Sequence, residues 1–97
     1  METYVILRRH GFRDGDDLRA AAERSTIEGE QMPDGVRWIR SYVLAEVDGT
    51  LGTVCIYQAT SPEGVLEHAR RAGLPADEVI LSPDTVIVRP DPEPVAV

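Results

Sequence analysis

Residues 36–59 read VRWIRSYVLAEVDGTLGTVCIYQA, two runs rich in β-branched and aromatic residues on either side of Asp48-Gly49. Such runs read as strands, and an Asp-Gly pair between them is a hairpin signal. Gly52, close behind, leaves room for a bulge or a wider loop. The centre of the chain is therefore predicted to be an antiparallel pair, VRWIRSYVLAEV against LGTVCIYQA. What flanks this pair decides the fold.

Before it, TYVILRRH predicts a strand ending near His10, broken by GFRDGDD with its two glycines. Asp14 supplies a helix N-cap and Asp17 an acid in the first turn, where free N–H groups and the helix dipole favour negative charge. Leu18, Ala21, Ala22 and Ser25 then recur at i, i+3, i+4 and i+7, a narrow helical stripe of mostly small residues that ends before the MPDG turn. After the pair, Ser61-Pro62-Glu63 is an N-cap, a proline at the first helical position and an acid. Val65, Leu66, Ala69 and Ala72 form the apolar face of this second helix, which stops at Gly73 with Pro75 beyond. DEVILS predicts a fourth strand, and DTVIV after Pro83 a continuation or a fifth short one. The order β-α-β-β-α-β, two βαβ-like halves joined by a hairpin, specifies a ferredoxin-like α+β sandwich with both helices on one sheet face. The domain is expected to span 1–89. Residues 90–97, with three prolines in RPDPEPVAV, are expected to form a tail, either disordered or laid on a partner subunit.

Composition bounds the chemistry. Ninety-seven residues with 42% hydrophobic content suit one domain. One Phe and one Trp leave Val, Ile, Leu and Ala to fill the core, a shortage that a dimer burying one sheet face would relieve. The formal charge of -7 argues against nucleic acid and anionic membrane surfaces as partners. All ten basic residues are Arg, so Schiff-base and lysine-linked pyridoxal chemistry is excluded. A single Cys forms no internal disulfide, and neither a signal peptide nor an apolar run of membrane-spanning length is visible. A cytoplasmic protein is the expectation.

Strand alternation sorts the side chains into two faces. Val5 and Leu7, Ile39, Ser41 and Val43, and Val54 and Ile56 form the sets expected beneath the helices. Tyr4, Ile6, Arg8 and His10, then Trp38, Arg40 and Tyr42, then Cys55 and Tyr57, form an aromatic and basic opposite face. A face of that kind suits burial against a second sheet, as in dimeric α+β barrels, with a lined cavity between subunits into which Cys55 points. The strand order brings His10, Cys55 and Tyr42 towards one edge, with Arg8, Arg40, Trp38 and Tyr57 further along.

The motifs W-x-x-S-Y-V at Trp38–Val43, C-[IV]-Y-x-A at Cys55–Ala59, and R-R-x-G-x-P with a following acid at Arg70–Asp77 resemble those of a family of small bacterial proteins of unknown function. Some members are described as nickel-binding. The likeness covers Gly35 to Val79 and the first strand. It implies a ferredoxin-like fold, a dimer and divalent-metal binding. Gln58 stands where relatives often carry an acid, and two histidines are fewer than nickel-binding relatives show.

His10 and Cys55 are the candidate metal ligands, because nickel and copper accept imidazole and thiolate together. His10 is equally a surface histidine at a strand end, and Cys55 equally a small residue at the dimer cavity. A Cys55–His10 nucleophile pair has no orienting third residue, and neither His10 nor His68 has a zinc-hydrolase context. Asp14, Asp16 and Asp17 lack the twelfth-position Glu of a calcium loop, where Ser25 stands. Arg8, Trp38, Arg40, Tyr42 and Tyr57 are the candidate ligand-binding residues, the arginines as forks for carboxylate or phosphate. The leading expectation is a homodimeric binding protein for nickel or another divalent transition metal, acting in sequestration or sensing. The alternatives are a dimeric α+β-barrel enzyme, of monooxygenase or cyclase type, acting on a small organic molecule, and a ligand-free interaction module.

Overall fold

A computed structural model describes residues 1–32, 35–76 and 78–93. Its elements are β1 (Glu2–Phe12), α1 (Gly15–Glu30), β2 (Val36–Ala45), β3 (Leu51–Ala59), α2 (Pro62–Ala72) and β4 (Glu78–Ser82), in the predicted order. The sheet is antiparallel with strand order β2-β3-β1-β4, so the fold is the ferredoxin-like α+β sandwich. Local chemistry sets the helix ends as expected. The Asp14 side chain accepts from the Asp17 N–H, and the Ser61 side chain accepts from the Gly64 N–H. Gly73 closes α2 in the left-handed conformation at φ 67°, which glycine adopts without steric cost. Pro33 and Asp34 of the predicted MPDG turn, Asp77, and residues 94–97 of the tail lie outside the described residues.

Two bulges shape the sheet. In β2, Trp38 pairs with Tyr57 while Arg40 pairs with Ile56, so Ile39 is an extra residue and the alternation slips by one. In β1, the pairing jumps from Arg8↔Thr53 to Phe12↔Leu51, and His10 takes a positive φ of 53°. This second bulge carries β1 on to Phe12, past its predicted end near His10. Opposite it stands Gly52, whose place would admit no larger residue: a Cβ there would lie 2.7 Å from the Arg8 carbonyl oxygen.

The helices cover the face opposite to the one expected. Tyr4, Ile6, Cys55, Tyr57 and Ala59 are buried with Val36 and Val65, whereas Val5, Leu7, Val54 and Ile56 are only half-buried. The reason is volume. The inward residues of α1 are small, Ala21 and Ser25, so the space beneath that helix must be filled from the sheet by Tyr57, Ile6 and Arg8. DTVIV forms no strand. Residues 84–91 instead line the open face together with Thr3, Val5 and Ile56. Asp91 reaches the far edge, where it accepts from the Tyr42 hydroxyl at 2.8 Å and pairs with Arg40 at 3.2 Å.

Candidate functional site

The predicted site residues fall into three places. Arg8, Cys55, Tyr57 and Trp38 lie on the helix-covered face. Arg40 and Tyr42 lie on the open face beneath the tail, because the Ile39 bulge reverses their side relative to Trp38. His10 sits outside both, on the β1 bulge, with its side chain about half exposed. The expectation of one continuous aromatic and basic face is therefore corrected, and so is the expectation that Cys55 points into a cavity between subunits. His10 and Cys55 are not brought together: Cys55 pairs with Ile6, four residues short of His10, and is buried.

At the bulge, the backbone N–H of His10 donates to Glu46 Oε2 at 2.8 Å. Its ring Nδ1 lies 3.0 Å from Asp48 Oδ2 and 3.1 Å from Thr50 Oγ1, and Nε2 lies 3.6 Å from Glu46 Oε2. Arg9 donates through Nε and Nη2 to Glu46, and these bonds hold its carboxyl down at a pKa of about 2. Bonds from the Thr50 hydroxyl and N–H, with help from His10, likewise hold Asp48 at about 2. Both carboxylates thus stay ionised beside the imidazole across the ordinary pH range. Glu46 directly follows β2 and Asp48 stands in the hairpin turn, read from the sequence as turn chemistry alone, and only the β1 bulge carries His10 to them.

Beneath α1 the sheet and helix border a half-open cavity of about 310 Å³. Its polar wall is Arg8, Cys55, Thr53, Ser41 and Tyr57, and its apolar wall includes Phe12, Leu18 and Leu74. Arg8 Nε donates to the Pro75 carbonyl at 2.5 Å, and Nη1 donates to Cys55 Sγ at 3.0 Å. Arg8 Nη2 is buried without a hydrogen-bond partner among the described residues. Tyr57 stacks on Trp38 with ring centroids 6.2 Å apart and shares a 3.0 Å hydrogen bond with the Ser25 hydroxyl. Burial raises its pKa, so the phenol is neutral. Trp38 Nε1 donates to the Ser41 hydroxyl at 2.8 Å.

His68 of α2 is in the core. Its Nε2 donates to the Ser25 carbonyl at 2.9 Å, because a carbonyl can only accept. Burial pushes its pKa below the ordinary 6.5. No group of three or more His, Cys, Asp or Glu side chains among the described residues is arranged to hold a metal ion.

A family model described as "Nickel responsive protein SCO4226-like" matches residues 4–81. The chain belongs to the SCO4226-like family. The match spans every strand and both helices, from Tyr4 in β1 to Leu81 in β4. Among solved structures, the chain is similar to the crystal structure of SCO4226 from Streptomyces coelicolor A3(2), with a TM-score of 0.68 and 21% sequence identity. That likeness covers 87% of this chain and 99% of the other, and it bears on the fold. No curated protein matches the chain. The SCO4226-like description names a response to nickel, which agrees in direction with the resemblance read from Trp38–Val43, Cys55–Ala59 and Arg70–Asp77. No helix among the described residues is long and apolar enough to cross a membrane.

Proposed function

We propose that this chain is a small homodimeric binding protein for nickel or a similar divalent ion, acting in sequestration or sensing. The observation that carries the reading is the match of residues 4–81 to the nickel-responsive SCO4226-like family model. The His10 corner, a half-exposed imidazole beside the ionised Asp48 with Glu46 already engaged by Arg9, supports His10 as a ligand. Imidazole and carboxylate oxygen both suit borderline divalent ions. One corner offers part of a coordination shell, and water or a second copy of the chain completes it. The net charge of -7 raises the local concentration of cations.

The open face supports the dimer reading. Val86, Ile87 and Val88 are 87%, 77% and 80% exposed on a segment that lies over half-buried sheet residues. A second copy covering both would bury three consecutive aliphatic side chains that water now surrounds.

Nickel titration of metal-stripped protein by calorimetry tests the metal reading. His10→Ala is expected to weaken binding by roughly tenfold or more, since losing even a group that only orients a ligand costs about that much. Cys55→Ser is expected to leave the affinity unchanged, since Cys55 is buried away from the corner. Binding that survives in His10→Ala, or no binding at all, overturns the proposal.

A further inference from the structure

Arg8 is the most deeply buried charge on the sheet, at 1% exposure. A guanidinium keeps its proton at any working pH, so burial cannot neutralise it. A buried cation is stable only when paired and fully hydrogen-bonded. Here its partners are a carbonyl and a sulfur, and its Nη2 has none among the described residues. The other arginine at the cavity, Arg19, stands exposed and pairs with Asp16. Among the described residues the cavity therefore has a single positive charge that is not already matched by a carboxylate, set among hydroxyls, with apolar and aromatic surface facing it.

We infer that the cavity between α1 and the sheet is a binding site for a small organic monocarboxylate, with the Arg8 guanidinium as its anchor. A carboxylate oxygen accepts from the Nη2 that lacks a partner and supplies one negative charge for one positive. A phosphate dianion would leave a charge unmatched unless Arg19 gave up its pairing with Asp16. The body of the acid is apolar, because Phe12, Leu18 and Leu74 offer nothing to hydrogen-bond and Trp38 and Tyr57 present stacked rings. The volume of about 310 Å³ lies at the lower end of the range for ligand cavities, so the acid is small. Arg8 is also tied to the Pro75 carbonyl in the loop between α2 and β4, so an anion on its fork is felt there as well. This site shares no side chain with the His10 corner, and the two readings stand or fall separately.

Trp38 is the single tryptophan of the chain and lines the cavity, so its fluorescence reports occupancy. The test titrates the full chain with phenylacetate and hexanoate, and with phenylacetamide as the neutral counterpart of the first. A saturable change is expected for at least one acid, with the amide weaker by roughly tenfold or more, the scale of a lost charge-assisted hydrogen bond. Ala22→Phe, which fills the cavity from the helix side and leaves Arg8 in place, is expected to abolish the change while the circular dichroism is kept. Arg8→Gln is expected to remove the preference for acid over amide. Should Arg8→Gln fail to fold, the amide comparison and Ala22→Phe still decide. No saturable change with either acid, equal affinity for acid and amide, or binding unaffected by Ala22→Phe overturns the inference. A saturable change with acid preference that Ala22→Phe abolishes supports it.

Discussion

His68 shows how one buried ring couples the fold to pH. It projects from α2 against the Ser25 carbonyl of α1 and lies 5.4 Å from the Tyr57 ring of β3, centroid to centroid. Its pKa is lowered, first by burial and also by the Arg8 charge, while the Ser25 carbonyl and Glu28 oppose that shift. A lowered pKa on a base means that the fold favours the neutral ring. Below 6.5 the unfolded chain takes a proton that the folded chain refuses, so stability falls as pH drops through 6.5 towards the folded-state value. Denaturant midpoints measured from neutral pH downward are expected to decline through this window, and the decline is expected to flatten in His68→Gln. An equal decline in the variant would show that other groups control it.

The two bulges matter at the level of the strand because each redirects a side chain that alternation alone would misplace. The bulge in β2 puts Trp38 over Tyr57 and sends Arg40 and Tyr42 to the opposite face. The bulge in β1 turns His10 outward and depends on the close approach of the Arg8 carbonyl to Gly52. Gly52→Ala would push a methyl into that backbone oxygen and towards Glu46, 2.9 Å from the same Cβ. It is expected to destabilise the fold by about 1–3 kcal/mol, the usual cost of overpacking, read as a lower denaturant midpoint with an unchanged slope. Because the same residues shape the His10 corner, nickel affinity is expected to fall in this variant as well. An unaltered midpoint would mean that β1 and β3 can separate there without cost.

At the scale of the whole molecule, the sheet has one face under helices and one crossed by the segment 84–93. That segment is tied down at its far end by Asp91 on Arg40 and Tyr42, while its centre exposes three aliphatic residues. Sedimentation of the full chain is expected to give a dimer, and the double variant Val86→Asp with Val88→Asp a monomer with unchanged helical content. A monomeric parent chain, or a dimer that keeps its mass in the double variant, would remove the open face from the assembly. The exposed Arg40–Asp91 pair, screened by solvent, positions the segment more than it stabilises the fold.

Local signals in the chain determined the order and type of the elements. The Asp48-Gly49 turn, the Asp14 and Ser61 caps and the Gly73 stop each act within a few residues of themselves, so β-α-β-β-α-β and its ferredoxin-like sheet could be read without coordinates. The motifs at Trp38–Val43, Cys55–Ala59 and Arg70–Asp77 carried the family in the same way. Alternation also separated Tyr4, Ile6, Arg8, Cys55 and Tyr57 from Val5, Leu7, Val54 and Ile56, but it carries no label for inside and outside. That choice belonged to the tertiary structure. The small inward residues of α1 leave a space that only the bulky set can fill, and a volume match between a helix and three strands is not a local property. The same holds for the bulges at Ile39 and His10, which depend on pairing across strands. Those pairings placed Arg8 in the cavity and His10 beside Glu46 and Asp48.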